Sequence, residues 1–137
     1  VTSGEIIHYL ADDDWYDPGR LRAFESLFLD KVVMVGYGRL SYVTKEGAPT
    51  GAQRFPPGPT RCIRWQIDHN QCAHRRSVFE KVAAWPTDPK DFPMDTVFFT
   101  SLASHWDFYP VDQIVAYKRM HSLNLQNTMK ETTSKRE

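Results

Sequence analysis

Glu5-Ile6-Ile7-His8-Tyr9-Leu10 runs through Ala11 into Asp12-Asp13-Asp14, and the fold reads outward from that junction. A short apolar run ending on carboxylates is the pattern of a buried strand whose carboxyl end opens onto a site. Asp17 and Pro18 then supply an N-cap and a first helical residue, and Leu21, Phe24, Leu27 and Phe28 fall on one helical face. Lys31 to Tyr37 and Leu40 to Thr44 read as two strands, with turn chemistry at Lys45-Glu46-Gly47 and a hairpin-like excursion there. The prolines and glycines between Gly47 and Pro59 predict a surface loop.

Farther along, Ile63, Trp65 and Ile67 alternate with polar residues, so a half-buried strand is expected to run into Asp68-His69. Ser77-Val78-Phe79-Glu80 has the form of a capping box and predicts a short helix from Ser77. Trp85 to Pro93 reads as a loop. Asp95 then caps a helix through His105 with Phe98, Phe99 and Leu102 on its apolar face, and Phe108 to Val111 and Ile114 to Tyr117 are the last strands. Residues 124–137 form a polar tail expected to fray.

A chain of 137 residues, 41% hydrophobic, suits one domain with one core. Seventeen Lys plus Arg balance seventeen Asp plus Glu, so no global field draws nucleic acid or an anionic membrane, and a charged ligand must be held locally. Cys62 and Cys72 are too far apart for a C-x-x-C pair and too few for a disulfide framework, so reduced thiols are expected. No apolar run approaches the ~20 residues of a membrane span and no signal-peptide pattern opens the chain, which predicts a cytoplasmic protein. The strand-like run so soon after Val1 leads us to expect further sequence upstream.

Three adjacent carboxylates raise one another's pKa unless a cation lies among them. Mg2+ or Mn2+ suits such oxygen ligands, with one or two carboxylates completed by phosphate and water. A solvated acidic turn before a helix is an equal reading of the same residues. A calcium EF-hand loop fits poorly: counting from Asp12, Tyr16 is fifth, Asp17 stands sixth in place of Gly, and Ala23 stands twelfth in place of Glu. Asp95, on composition alone, is a helix cap. Arg75 and Arg76 read as a solvated basic pair, and Trp65, Trp85 and Trp106 as core or as sugar-stacking rings.

Tyr9 to Leu21, with its aspartate triplet, aromatic residues, proline and Arg20-Leu21, resembles the corresponding segment of family 2 glycosyltransferases. Ile67 to Val82 resembles the acceptor-side block of the spore-coat polysaccharide branch of that family. Met94-Asp95-Thr96-Val97-Phe98-Phe99, followed by Phe108-Tyr109-Pro110-Val111-Asp112, resembles its "G-D-A-x-F-F … F-Y-P-x-D" segment. The three occur in the family's order and span roughly residues 4 to 121.

The resemblance implies an α/β chain, the C-terminal half of a GT-A nucleotide-diphospho-sugar transferase with a mixed sheet flanked by helices over residues 1–123, lacking the nucleotide-binding half. It implies that Asp13 meets the nucleotide ribose with Asp12 as helper, and that Asp14 coordinates Mn2+ or Mg2+. His121 is a late metal or phosphate contact, Asp95 the general base, and Asp68 and His69 neighbours of the acceptor. Met94 departs from the family's usual glycine. The implied partners are a UDP- or dTDP-sugar and a glycan or other hydroxyl acceptor, transferred with inversion in polysaccharide biosynthesis. Two other classes stay open: a non-catalytic carbohydrate- or nucleotide-binding remnant that self-associates as a homodimer through an unpaired strand edge, and a metal-dependent phosphohydrolase.

Overall fold

The computed structural model describes residues 4–61, 67–88, 90 and 93–120. It is a mixed α/β structure around a curled mixed sheet. In chain order the strands are β1 (Ile6–His8), β2 (Trp15–Tyr16), β3 (Val35–Val43), β4 (Pro49–Arg54), β5 (Cys72–Arg75) and β6 (Phe108–Arg119), and the helices are α1 (Arg20–Phe28) and α2 (Met94–Ala103). Short 3-10 turns cover His69–Gln71 and Arg76–Glu80.

The sheet order is β1-β5-β3-β6-β2, with β4 pairing β3. β3 is its spine. It runs antiparallel to β5 and β4 and parallel to β6, pairing from Val35 opposite Phe108 to Val43 opposite Arg119 with register shifts between Tyr37 and Leu40. Nearly every β3 side chain is buried, as expected of a strand covered on both faces.

Alternation along the strands divides the core in two. Val35, Tyr37, Cys72 and Phe108 turn to one face, where Phe98, Phe99 and Leu102 of α2 cover them. Ala73, Val115 and Val33 turn to the other and meet Phe24 and Phe28 of α1. Each fully buried Leu or Phe contributes about 1.5–3 kcal/mol. A Cβ on Gly36 would lie 2.5 Å from Leu27 Cδ2, so the glycine lets α1 settle directly onto β3.

Several expected elements take a different form. The helix after the triplet starts at Arg20, because Asp17 accepts the Gly19 N–H at 2.8 Å and the Tyr117 hydroxyl at 2.6 Å and so closes a turn instead of capping. Leu21 is 65% exposed, and Arg20 and Ala23 take its place on the buried face. The two expected strands between Lys31 and Thr44 are one continuous β3, and those after Phe108 are one β6. Part of the expected loop after Gly47 is the exposed edge strand β4, which needs no apolar residues because it pairs through its backbone. The helix expected at Ser77 is a 3-10 turn with Arg75 at its cap position and no side-chain cap bond. The capping box sits instead at Asp68. The second helix starts at Met94, with Pro93 in the cap position, and ends at Ala103.

Arg75 and Arg76 are structural. Arg75 donates to the Val33 and Phe28 carbonyls at 2.8 Å each, and Arg76 donates to the Gly4 carbonyl. The strand expected over Ile63 to Trp65 and the polar tail lie outside the described residues. No described helix is long and apolar enough to cross a membrane.

Arg20 closes the fold around the N-terminus of α1. It is 1% exposed; its guanidinium donates to the carbonyls of Asn70, Cys72 (2.8 Å) and Val115 (3.4 Å), and its Nε donates to His8 Nδ1 (3.0 Å). The Tyr16 ring lies 3.8 Å beneath its Cζ. Burial and the adjacent guanidinium hold His8 at a pKa of about 4, so the ring is a neutral acceptor at pH 7. Replacing Arg20 by Met keeps the volume but strands several buried carbonyls, each costing about 1–3 kcal/mol. We expect Arg20→Met to lower unfolding free energy by at least about 3 kcal/mol in urea titrations, and a loss below about 1 kcal/mol would show the guanidinium to be dispensable.

Candidate functional site

The triplet forms the turn after β1, closed by the Asp14 N–H donating to the Ala11 carbonyl at 3.3 Å. Its three carboxylates are graded in exposure: Asp12 is exposed, Asp13 half-buried and Asp14 buried. Asp14 points inward. Its Oδ2 accepts from Asn70 Nδ2 at 2.7 Å and its Oδ1 accepts from the Arg119 N–H at 2.9 Å. Asn70 completes the clasp by accepting the Ala11 N–H on its Oδ1 at 2.9 Å. Burial raises the Asp14 carboxyl above the usual carboxylate range, the Arg119 N–H opposes this, and the neighbouring Asp13 charge adds to the rise.

Asn70 belongs to the turn that carries Asp68 and His69. The Asp68 Oδ1 accepts the Asn70 N–H at 3.0 Å while Gln71 Oε1 accepts the Asp68 N–H at 2.8 Å. Gln71 also donates to the Gly38 carbonyl at 2.9 Å, which pins the turn to β3. Asp68 is fully buried and faces Lys118 Nζ at 2.5 Å. Burial alone would raise its carboxyl, but the Lys118 cation, His69 and the Asn70 N–H outweigh that and hold it below the usual value.

His69 links this turn to α2. Its Nδ1 lies 3.8 Å from Asp68 Oδ1 and 3.6 Å from Asp95 Oδ2, and the ring packs edge-on against Trp85 at 5.9 Å. Asp95 sits in the first turn of α2, where its negative charge suits the helix dipole, and its Oδ1 accepts the Thr96 N–H at 2.8 Å. The structure therefore joins Asp14, Asp68, His69 and Asp95 in one run of contacts. His121 lies outside the described residues.

Three members of this run were not singled out from sequence: Asn70, Lys118 and Arg119. Lys118 had a readable signal, since it continues the Ile114-Val115-Ala116-Tyr117 strand run on the same side as Ala116. Asn70 had none, because its role depends on a partner 56 residues away. His74, between Tyr9 and Arg75, is structural: its Nδ1 donates to the Arg75 carbonyl at 2.8 Å, which leaves Nε2 to accept the Tyr9 hydroxyl at 2.9 Å. Cys72 is buried, with its thiol pushed well up by burial and so kept protonated.

Among the described residues, no group of three or more His, Cys, Asp or Glu side chains is arranged to hold a metal ion. An ion here would draw most of its shell from a ligand such as diphosphate, with one or two carboxylates of the turn added. Asp12, exposed, fits that limited role, and each Asp14 oxygen, accepting one hydrogen bond, keeps a second lone pair for an ion. No family model matches the chain, and no curated protein matches it.

The depressed Asp68 pKa fixes a sign. Its stabilising contribution is complete above the ordinary value of 3.8 and is lost as pH falls from there through the lower folded value. Asp68→Asn, which leaves Lys118 buried without its carboxylate, should lower unfolding free energy by about 3–5 kcal/mol at pH 7. Urea titrations across pH should show the gap to wild type narrowing only below pH 3.8. A gap that stays constant to pH 2 would remove the ionised pair as its cause.

Proposed function

We propose that the chain is the catalytic and acceptor-binding part of a metal-dependent, inverting glycosyltransferase with a GT-A-type fold, using a nucleotide-diphosphate sugar such as a UDP- or dTDP-sugar and a hydroxyl acceptor of a growing polysaccharide. One observation carries the reading. The three segments that resemble family 2 transferases, far apart in the chain, meet through Asp14 to Asn70 (2.7 Å) and His69 to Asp95 (3.6 Å). This joining favours a shared site over a solvated acidic turn and an unrelated helix start.

In this reading Asp14, steadied by Asn70, would hold Mn2+ or Mg2+ together with the donor diphosphate, Asp13 would meet the nucleotide ribose and Asp12 would assist. A divalent ion bound there stabilises negative charge on the departing diphosphate. Asp95 accepts the proton of the acceptor hydroxyl as that oxygen attacks the anomeric carbon. Attack from the face opposite the leaving group inverts the centre. Asp68 and His69 lie beneath the acceptor, and Trp85 flanks them with an apolar ring of the kind sugars stack on.

The alternative of a self-associating binding remnant draws on a single feature: β1 is at the end of the strand order, and a strand edge can pair with another chain. A remnant would bind sugar without metal and run as a dimer in size-exclusion chromatography.

Calorimetry of the chain with UDP should give heat that depends on Mn2+. Asp13→Asn should weaken that binding at least about tenfold. Heat that is unchanged when the metal is chelated would overturn the reading. Asp95→Asn should keep donor binding and lose transfer by about 10²–10⁴-fold, measured with the donor-binding half supplied.

A further inference from the structure

His69 stands between two carboxylates of unequal standing. Asp68, on its own turn, carries the Lys118 ammonium of β6 at 2.5 Å and is fully buried. Asp95, on α2, has His69 as its ion-pair partner among the described residues. The His69 Nδ1 is buried, makes no hydrogen bond, and lies within 3.8 Å of one carboxylate and 3.6 Å of the other. A bare ring nitrogen would be repelled by both oxygens, so this nitrogen carries the hydrogen.

The ring cannot easily turn away. Asp68 and Gln71 close a capping box over the His69–Gln71 turn, Gln71 is tied to the Gly38 carbonyl, and Trp85 stands against the ring. Asp95 is held less firmly, by the Thr96 N–H at 2.8 Å on one oxygen. Its Oδ2 faces His69 Nδ1 at 3.6 Å.

We propose that His69 is a positioning residue for Asp95: seated on the Asp68–Lys118 pair, its imidazolium Nδ1–H draws Asp95 Oδ2 inward and leaves the carboxylate oriented to receive a proton from an acceptor hydroxyl. The role given to Asp95 rests on the transferase reading above; the pairing itself does not. Among the described residues, the titratable groups that face His69 are Asp68 from its own turn, Asp95 from α2 and Lys118 from β6. Burial alone would lower the His69 pKa and Lys118 pulls the same way, but Asp95 and Asp68 together raise it above the ordinary 6.5. The charged form of this hold is therefore present below the raised His69 pKa and is lost as pH rises through it, the neutral ring keeping its Nδ1–H and a weaker, uncharged contact with Asp95.

The test is an NMR pH titration of the His69 imidazole in the full chain, with its signal assigned through His69→Gln. The midpoint should lie above 6.5 in wild type and fall by about 0.5–1 unit in Asp95→Asn, a near-isosteric change that removes the charge. A ring whose proton is held by Asp68 alone would not move with Asp95. A midpoint at or below 6.5 that Asp95→Asn leaves in place overturns the proposal. UDP and Mn2+ calorimetry on the same samples separates the two ideas. Donor heat with an unmoved His69 rejects the positioning role and spares the transferase reading. No donor heat even with the donor-binding half supplied, and a His69 that still follows Asp95, rejects the transferase reading and upholds the pairing.

Discussion

The fold turns on a guanidinium buried with no carboxylate partner among the described residues. Arg20 stands at the N-terminus of α1, where the helix dipole is least hospitable to a cation, and answers this by donating to three carbonyls and to a neutral histidine. Those acceptors belong to β1, to the turn before β5, to β5 itself and to β6. One side chain thus sets the spacing of elements that no single strand pairing brings together. The planar fork of arginine makes this feasible, since several donors leave one rigid group in fixed directions.

The candidate site is a consequence of that arrangement. With Asn70 anchored beneath Arg20 through its carbonyl, its side chain is free to bridge the Ala11 N–H and the Asp14 carboxylate. The triplet is thereby sorted, with Asp14 buried in the clasp, Asp13 half-buried and Asp12 exposed, which relieves some of the repulsion among three neighbouring charges. The Asp68–Lys118 pair is a second buried fixture on the same turn. Pairs of this kind contribute little net stability over an apolar core, but they tolerate few alternative geometries, and that property serves a site in which a few tenths of an ångström separate contact from none.

Much of this was legible in the residues, though unevenly. The strand ending at the triplet and the apolar face of Phe98, Phe99 and Leu102 followed from periodicity, which reports burial directly. β2 did not, because two residues, Trp15 and Tyr16, cannot display a period. β4 was obscured by Pro49 and Gly51, residues that break central strands yet are tolerated at an edge. Arg20 ran against its residue type, since charged side chains are read as surface until their partners are known. The convergence of Asp14, Asp68 and Asp95 was expected from the order of the motifs; the clasp through Asn70 and the support from Lys118 lay in tertiary contacts that local pattern does not encode.

β6 adds one more consequence. It pairs in parallel with β3, and its last two residues supply the Lys118 ammonium to Asp68 and the Arg119 N–H to Asp14, partners 50 and 105 residues apart. On a ribosome, the acidic turn therefore emerges long before anything can restrain it, as three hydrated charges on a loose strand end. Parallel pairing over such distance closes slowly, so the Lys118 and Arg119 contacts wait on the last-made of the described strands.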